Sequence, residues 1–234
     1  MSRRGAGDDD EREAAMSGEP RMSTVTVDGI AVELPAGATM LDAAKAADRW
    51  VPTVCFDERQ APFGACRVCM VGVAGSPKPV PACTTLCRDG MEIETEEPTA
   101  RRVARAVVEL VLSELPEAPA PSTELAQVAE RLEVGEPRWG GATHSVDEDL
   151  RHPYLALRHE LCISCGRCVR ACDEVQGAFA LTATGRGFEA NITAGLDAGF
   201  EDSTCVACGA CADTCPTDAI TEISLVRQSE RERS

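Results

Sequence analysis

The chain has 234 residues, a formal net charge of -16 and only 3% aromatic residues. So acidic a balance argues against a phosphate-binding role on nucleic acid and against attraction to anionic membrane surfaces. No run of eighteen apolar residues occurs, so no membrane-spanning helix is expected. Thirteen cysteines in a chain so poor in aromatics suggest a fold that draws part of its stability from metal.

Residues 1–21 are charged, small and aperiodic, and read as a disordered tail. Arg3-Arg4 has the form of a twin-arginine signal. The following Gly-Ala-Gly-Asp-Asp-Asp-Glu occupies the place where an apolar stretch is required, so export is dismissed and a cytoplasmic location expected. Thiols stay reduced there, and a cysteine-rich pattern then signals metal or redox chemistry rather than disulfides. Val25 and Val27 alternate up to Asp28-Gly29, and Ile30, Val32 and Leu34 continue beyond it, which predicts a hairpin. Thr39 is expected to cap a helix running to about Asp48, with Met40, Leu41, Ala44 and Ala47 facing inward. Val68–Val73 and Met91–Thr95 supply further strands. Hairpin, helix and cysteine-bearing loop follow one another in β-grasp order, and the domain is set at 22–97. Pro98 starts a helix whose stripe is Val103, Val107, Leu110 and Val111, running through Leu115. Ser122 is expected to cap a second, with Leu125, Val128 and Leu132 inward, ended by Gly135 and Pro137. Residues 136–153 read as exposed, so 98–153 forms a helical connector. Residues 154–223 carry a cysteine repeat and 224–234 a polar tail. The whole is an α+β chain.

The repeat is Cys162-Ile-Ser-Cys165-Gly-Arg-Cys168-Val-Arg-Ala-Cys172 and Cys205-Val-Ala-Cys208-Gly-Ala-Cys211-Ala-Asp-Thr-Cys215-Pro216. C-x2-C-x2-C-x3-C is the spacing of two-cluster bacterial ferredoxins, in which the fourth cysteine ligates the other cluster. Three thiolates in a tight loop grip three irons of a cubane, and the fourth, expected at a helix start, turns away. Cys162, Cys165, Cys168 and Cys215 are therefore assigned to one [4Fe–4S] cluster. Cys172, Cys205, Cys208 and Cys211 are assigned to a second. Gly166 and Gly209 let the loop backbone approach sulfur, where N–H donors stabilise the more negative reduced cluster. Pro216 follows the fourth cysteine of one block, whereas Asp173 stands at that position in the other and alters its local field. Structural zinc would show two C-x2-C pairs and a spacer, which this pattern lacks.

Cys55, Cys66, Cys69 and Cys83 are separated by ten, two and thirteen residues. Two early ligands, a C-x2-C pair and a distant partner on a β-grasp scaffold are the plan of a [2Fe–2S] site, with a longer first gap than the plant-type C-x4-C-x2-C. Cys87 is left over and is expected to be a buried or spectator thiol, exchange into the ligand set being the alternative. His144, His152 and His159 read as ordinary polar residues. There is no dinucleotide fingerprint and no nucleophile with its base, so the sequence offers no catalytic centre.

The stretches Pro62-Phe63-Gly64-Ala65-Cys66-Arg67-Val68-Cys69 and Val80-Pro81-Ala82-Cys83-Thr84-Thr85 resemble the N-terminal [2Fe–2S] domain of the large iron–sulfur subunit of respiratory NADH dehydrogenase. The same module opens the diaphorase small subunit of NAD-linked hydrogenases and the alpha subunit of molybdenum formate dehydrogenases. Downstream, His152-Pro153-Tyr154, Cys168 to Gly177 and Gly185-Arg186-Gly187-Phe188 resemble the formate dehydrogenase subunit, and the likeness extends over about 200 residues. It implies an electron-transfer chain between a molybdopterin-containing catalytic subunit and a flavin/NAD diaphorase subunit, with the same role in a [NiFe] hydrogenase or NADH dehydrogenase-like complex as the alternative. A structural or sensory module is the remaining reading. Two departures stand out. No cysteine lies between Cys87 and Cys162, so the cluster that one histidine and three cysteines hold in these families has no ligands here. In the formate dehydrogenase subunit a large molybdopterin domain follows the second block; this sequence looks like that subunit's electron-transfer arm, which is expected to be encoded separately.

Overall fold

The computed structural model describes residues 22–141, 148–195 and 200–224. The proposed N-terminal tail, His144 and nearly all of the proposed C-terminal tail lie outside these residues. β1 (Met22–Val27) and β2 (Ile30–Pro35) form an antiparallel hairpin with Val25 opposite Val32. Its turn residues Asp28 and Gly29 both have positive φ, 47° and 83°, as a two-residue primed turn requires. α1 (Met40–Ala46) follows, and Thr39 and Asp42 cap it reciprocally. Met40, Leu41, Ala44 and Ala47 are all buried against the sheet.

The five-stranded sheet runs β2-β1-β5-β3-β4, with β3 at Met70–Val73, β4 at Val80–Pro81 and β5 at Glu92–Glu94. The late strand β5 enters the middle, parallel to β1 and antiparallel to β3. The expected strand at Val68–Val73 is shorter at its start, because Val68 instead packs among the connector helices.

α2 (Pro98–Ser113) begins with Pro98 at its first turn, and the Glu97 side chain caps it at Ala100 N. Its buried line is Ala100, Ala104 and Val108; of the expected stripe Val103, Val107, Leu110 and Val111, Val107 and Val111 pack beside that line while Leu110 is 48% exposed. Alanines let this helix sit close to its neighbours, so small residues occupy the innermost face and larger valines flank it. α3 (Glu124–Arg131) is capped by Thr123, not Ser122: the Thr123 hydroxyl accepts from Ala126 N and donates to the Ala120 carbonyl. Both helices join Val54 and Val68 in one apolar cluster that also touches Cys66 and Ile163. The connector is therefore a packed layer linking the two halves.

β6 (Leu155–Leu157) pairs with β9 (Ile220–Glu222), closing residues 154–223 end to end. Between them lie α4 (Arg167–Arg170), continued as a wider π-helical turn over Ala171–Gln176, and α5 (Ala210–Asp213). A hairpin, β7 (Leu181–Thr184) with β8 (Asn191–Ala194), is inserted between the cysteine blocks; the sequence had not suggested it. The stretch 136–153 is not uniformly exposed: Asp149 bridges Leu157, and both Asp149 and His152 are buried.

Candidate metal centres

Four thiols of the N-terminal half meet as two pairs. Cys66 N–H and the Cys66 thiol both contact Cys55 sulfur, and Cys69 sulfur lies 3.2 Å from Cys83 sulfur. A [2Fe–2S] rhomb needs two thiolates on each iron, and two thiol pairs are the arrangement it would use. The loop is shaped by Gly64 and Arg67, both at positive φ, and Gly64 lies against Thr84, the residue after Cys83. Hydrogen bonds from Cys66, aided by Ala65 N–H and the nearby Arg170 guanidinium, bring the Cys55 thiol down to about 5 despite burial. The Cys69 hydrogen bond brings Cys83 down to about 7. The donating thiols, Cys66 and Cys69, are pushed up. Cys87 is outside both pairs: it sits half-buried beside the β-grasp core, its N–H on the Ala38 carbonyl, and burial raises its thiol.

In the second half, Cys162, Cys165, Cys168 and Cys215 line one small, partly enclosed cavity. Its other walls are apolar, with Leu157, Ile163, Ile192, Ala219 and Ile220. Three cysteines from one block and the last of the other thus share a chamber, the crossed assignment that the spacing suggested. Among the described residues, no three Cys, His, Asp or Glu side chains converge on a point that would hold one metal ion. Thiols set around a chamber fit a multi-iron cluster better than a single zinc ion, whose bonds to sulfur are only about 2.3 Å. Burial pushes Cys165 up to about 12 and Cys168 well above the ordinary thiol range. Cysteines so placed ionise only opposite strong positive charge, which iron provides.

The two blocks repeat in backbone shape as well as spelling. Ser164 and Ala207 precede the second cysteine of each with φ of 51° and 55°, and Gly166 and Gly209 follow it with φ of 74° and 79°. Each left-handed glycine starts a short helix that carries the third cysteine. The fourth cysteine is not at a helix start. Cys172 lies inside the π-helical turn beyond α4, and Cys215 lies just past the end of α5. Burial raises Cys211 to about 12, and among its remaining influences are Cys205, Cys208 and Cys172, the other three of its set. Cys208 is exposed. Burial and then neighbouring Glu174 raise the pKa of the Asp173 carboxyl beside Cys172.

Between the two halves lies a polar joint that sequence reasoning missed. Arg167, only 3% exposed, projects from the first position of α4, between Cys165 and Cys168. It donates to the Val54 carbonyl at 3.3 Å, to both Glu124 oxygens at 2.6 and 2.9 Å, to Asp57 at 3.2 Å and to Thr214 Oγ1 at 3.0 Å. Thr214 in turn donates to Asp57 at 2.7 Å, and Gln60 Nε2 donates to the Arg167 carbonyl at 3.1 Å. Arg59, then Thr214, hold the Asp57 carboxyl well below the usual range. Arg170 donates to the Cys55 and Ala61 carbonyls at 2.7 and 2.6 Å and covers the Phe63 ring at 5.1 Å. Phe63 also comes within 3.8 Å of a Cβ placed on Gly166. The residues flanking Cys55 and Cys66 therefore press on the Cys165–Cys168 loop.

His152 and His159, which read as ordinary polar residues, are both buried. His159 Nδ1 lies 2.5 Å from Asn191 Oδ1. His152 Nδ1 accepts from Tyr154 and Leu155 N–H, its Nε2 lies 3.7 Å from Cys205 sulfur, and burial lowers its pKa.

A β-grasp sheet with paired thiols, followed by a twofold cysteine block, defines an iron–sulfur protein with a [2Fe–2S] and a two-cluster [4Fe–4S] domain. Family comparison agrees. Residues 21–98 match the 2Fe-2S iron-sulfur cluster binding domain and residues 161–219 the 4Fe-4S dicluster domain. The chain is 34% identical to the NADP-reducing hydrogenase subunit HndD of Solidesulfovibrio fructosivorans over 86% of its own length and 36% of that protein. It is 31% identical to the NADH-ubiquinone oxidoreductase 75 kDa subunit of Reclinomonas americana, over 86% of the chain and 29% of that protein. It therefore spans only about a third of the length of these relatives. A chain in the crystal structure of an NAD+-reducing [NiFe]-hydrogenase in the H2-reduced state superposes with a TM-score of 0.78 at 27% identity, covering 86% of this chain and 88% of that one. Among the described residues, no helix is long and apolar enough to cross a membrane.

Proposed function

We propose that the chain is a cytoplasmic electron conduit within an NAD-linked oxidoreductase complex. Cys55, Cys66, Cys69 and Cys83 hold its [2Fe–2S] cluster. Cys162, Cys165, Cys168 and Cys215 hold one [4Fe–4S] cluster, and Cys172, Cys205, Cys208 and Cys211 the other. When bound, such clusters supply one-electron exchange. The observation that carries the reading is the joint between the halves. Arg170 ties the Cys55 carbonyl to the Cys168–Cys172 segment, and Arg167 ties the Val54 carbonyl to the Cys165–Cys168 loop. The chain's own residues thus fix the two ligand loops against each other without the histidine-and-three-cysteine site of the related families. Exposed Cys208 offers the second [4Fe–4S] site to a partner.

For the partners, the resemblance around His152, Cys168–Gly177 and Gly185 supports a molybdopterin-containing formate dehydrogenase subunit on one side and a flavin/NAD diaphorase subunit on the other. The second reading, the same conduit in an NAD-linked [NiFe] hydrogenase or NADH dehydrogenase-like complex, is favoured by a solved hydrogenase chain matched over 88% of its length. Copurification with metal analysis separates them: molybdenum or tungsten with a large partner supports the first, nickel the second. In either complex Cys66→Ser is expected to stop NAD-linked electron flow and spare the partner's dye-linked activity. Full NAD-linked turnover in that variant would remove the [2Fe–2S] site from the route.

A further inference from the structure

Cys162 and Cys205 are equivalent positions of the repeat, yet their surroundings differ. Cys162 is met by Ser164. Cys205 sulfur accepts from Ala207 N–H at 3.4 Å, the counterpart of Ser164, and is also approached at 3.7 Å by Nε2 of His152, a residue 53 positions away. Nothing in the cysteine spacing calls for a histidine there.

The tautomer of His152 follows from its other nitrogen. Nδ1 accepts two backbone hydrogen bonds, from Tyr154 N at 3.1 Å and Leu155 N at 2.9 Å, so it carries no proton. The proton of a neutral imidazole is then on Nε2, the atom facing Cys205. The ring is also held from rotating. It stands edge-on to Phe200, with centroids 5.2 Å apart, and to Tyr154 at 6.0 Å, and it is 4% exposed. The two N–H groups on Nδ1 belong to the segment entering β6, which pairs with β9 to close the domain.

We propose that His152 is a tuning residue for the second [4Fe–4S] cluster: its Nε2–H donates to the Cys205 thiolate and raises that cluster's reduction potential. This rests on the assignment of Cys205 as a cluster ligand. Reduction adds negative charge that spreads onto the thiolate sulfurs, so a hydrogen bond to sulfur is stronger in the reduced state and favours it. At the first [4Fe–4S] site, built on the same repeat, no histidine ring is hydrogen-bonded to the Cys162 sulfur among the described residues; His159 meets Cys162 only through its backbone carbonyl. His152 thereby makes the two clusters electronically unequal.

The test is an EPR-monitored redox titration of the full chain with its clusters assembled, for the wild type, His152→Asn and His152→Gln. Asparagine places an acceptor oxygen near the position of Nδ1 but is too short to reach Cys205, and glutamine can carry an N–H to the sulfur. His152→Asn is expected to lower one [4Fe–4S] potential by about 59 mV, a tenfold change in its one-electron equilibrium. The other [4Fe–4S] and the [2Fe–2S] potentials stay fixed, and His152→Gln recovers part of the shift. Unmoved potentials in a His152→Asn protein with full iron overturn the proposal. A complementary measurement needs no variant: wild-type protein labelled with 15N-histidine is expected to show a histidine nitrogen and an exchangeable proton coupled to one reduced [4Fe–4S] cluster. Absence of both couplings overturns it too. A wild-type chain that assembles only one [4Fe–4S] cluster defeats the ligand assignment itself, whereas full iron with unmoved potentials defeats the tuning role alone.

Discussion

Replacing Arg167 by methionine removes the central cation of the joint while keeping most of its apolar stem. The loss falls on the Val54 carbonyl, the Glu124 carboxylate, Asp57 and Thr214, all within 3.3 Å of its nitrogens. Removing one partner of a buried charge network costs about 3–5 kcal/mol, because the other charge stays buried without compensation. Here Arg59 still holds Asp57 at 2.9 Å and Glu124 is half-exposed, so the lower end, about 3 kcal/mol, applies. At about 1.4 kcal/mol per factor of ten, the joint should open roughly a hundredfold more often. Hydrogen exchange read by mass spectrometry reports this locally. The Leu125 amide bonds the Pro216 carbonyl across the joint at 3.0 Å, and the Ala61 amide bonds Glu174 at 2.7 Å. Peptides carrying these amides should lose about two orders of magnitude of protection, and the β1–β2 hairpin none. Unchanged protection at both sites would refute the claim that Arg167 holds the halves together.

Three further outcomes follow from the same geometry. Because Asp57 ionises more easily in the folded chain than at its ordinary 3.8, its contribution is complete above that value and is lost only as the pH falls toward its folded pKa. Protection at the joint should therefore stay level from neutrality down to about pH 5, and loss near neutrality would assign the joint to another group. Gly64→Ala puts a Cβ 2.9 Å from Thr84 Cγ2 on a backbone with φ of 67°, so the [2Fe–2S] EPR signal should fall while both [4Fe–4S] signals persist; a full [2Fe–2S] signal would contradict the loop geometry. Gly72→Ala brings a Cβ to 2.7 Å from Glu97 Cβ, displacing the cap of α2. A loss of about 1–2 kcal/mol in denaturant unfolding is expected, and none if the cap is unimportant.

Much of the local architecture was legible in the sequence because it is encoded locally. Asp28-Gly29 marked the hairpin and Thr39 the helix cap, and the two cysteine blocks marked Gly166 and Gly209 as matching positions, where the structure has left-handed turns. The approach of Cys215 to the cavity lined by Cys162, Cys165 and Cys168 follows the same crossed spacing. Where neighbouring residues offer the same chemistry, pattern fails: Ser122 and Thr123 both carry a cap hydroxyl, and the turn around Ala120 selects Thr123. The α2 stripe was legible only in part: Val107 and Val111 pack against the cluster, whereas close approach of the helix selects Ala100 and Ala104 for its innermost line. Arg167 and His152 were illegible for a different reason. Each acts on residues more than fifty positions away, Asp57 and Cys205 respectively, and only the folded chain brings those together. The segments at His152 and Gly185 also have duties inside the fold. A Cβ on Gly185 would lie 2.1 Å from the Glu189 carbonyl oxygen, so its glycine serves the β7–β8 hairpin whatever partner the chain meets.

The central claim is that twelve cysteines hold three clusters linked in one path. Iron and acid-labile sulfide analysis of the purified full chain, read with a stepwise EPR reduction, tests it most directly. About ten irons with one [2Fe–2S] and two [4Fe–4S] signals, and magnetic interaction between the two [4Fe–4S] spins when both are reduced, are expected. Zinc in place of iron, or two [4Fe–4S] signals without any mutual interaction, would contradict the account.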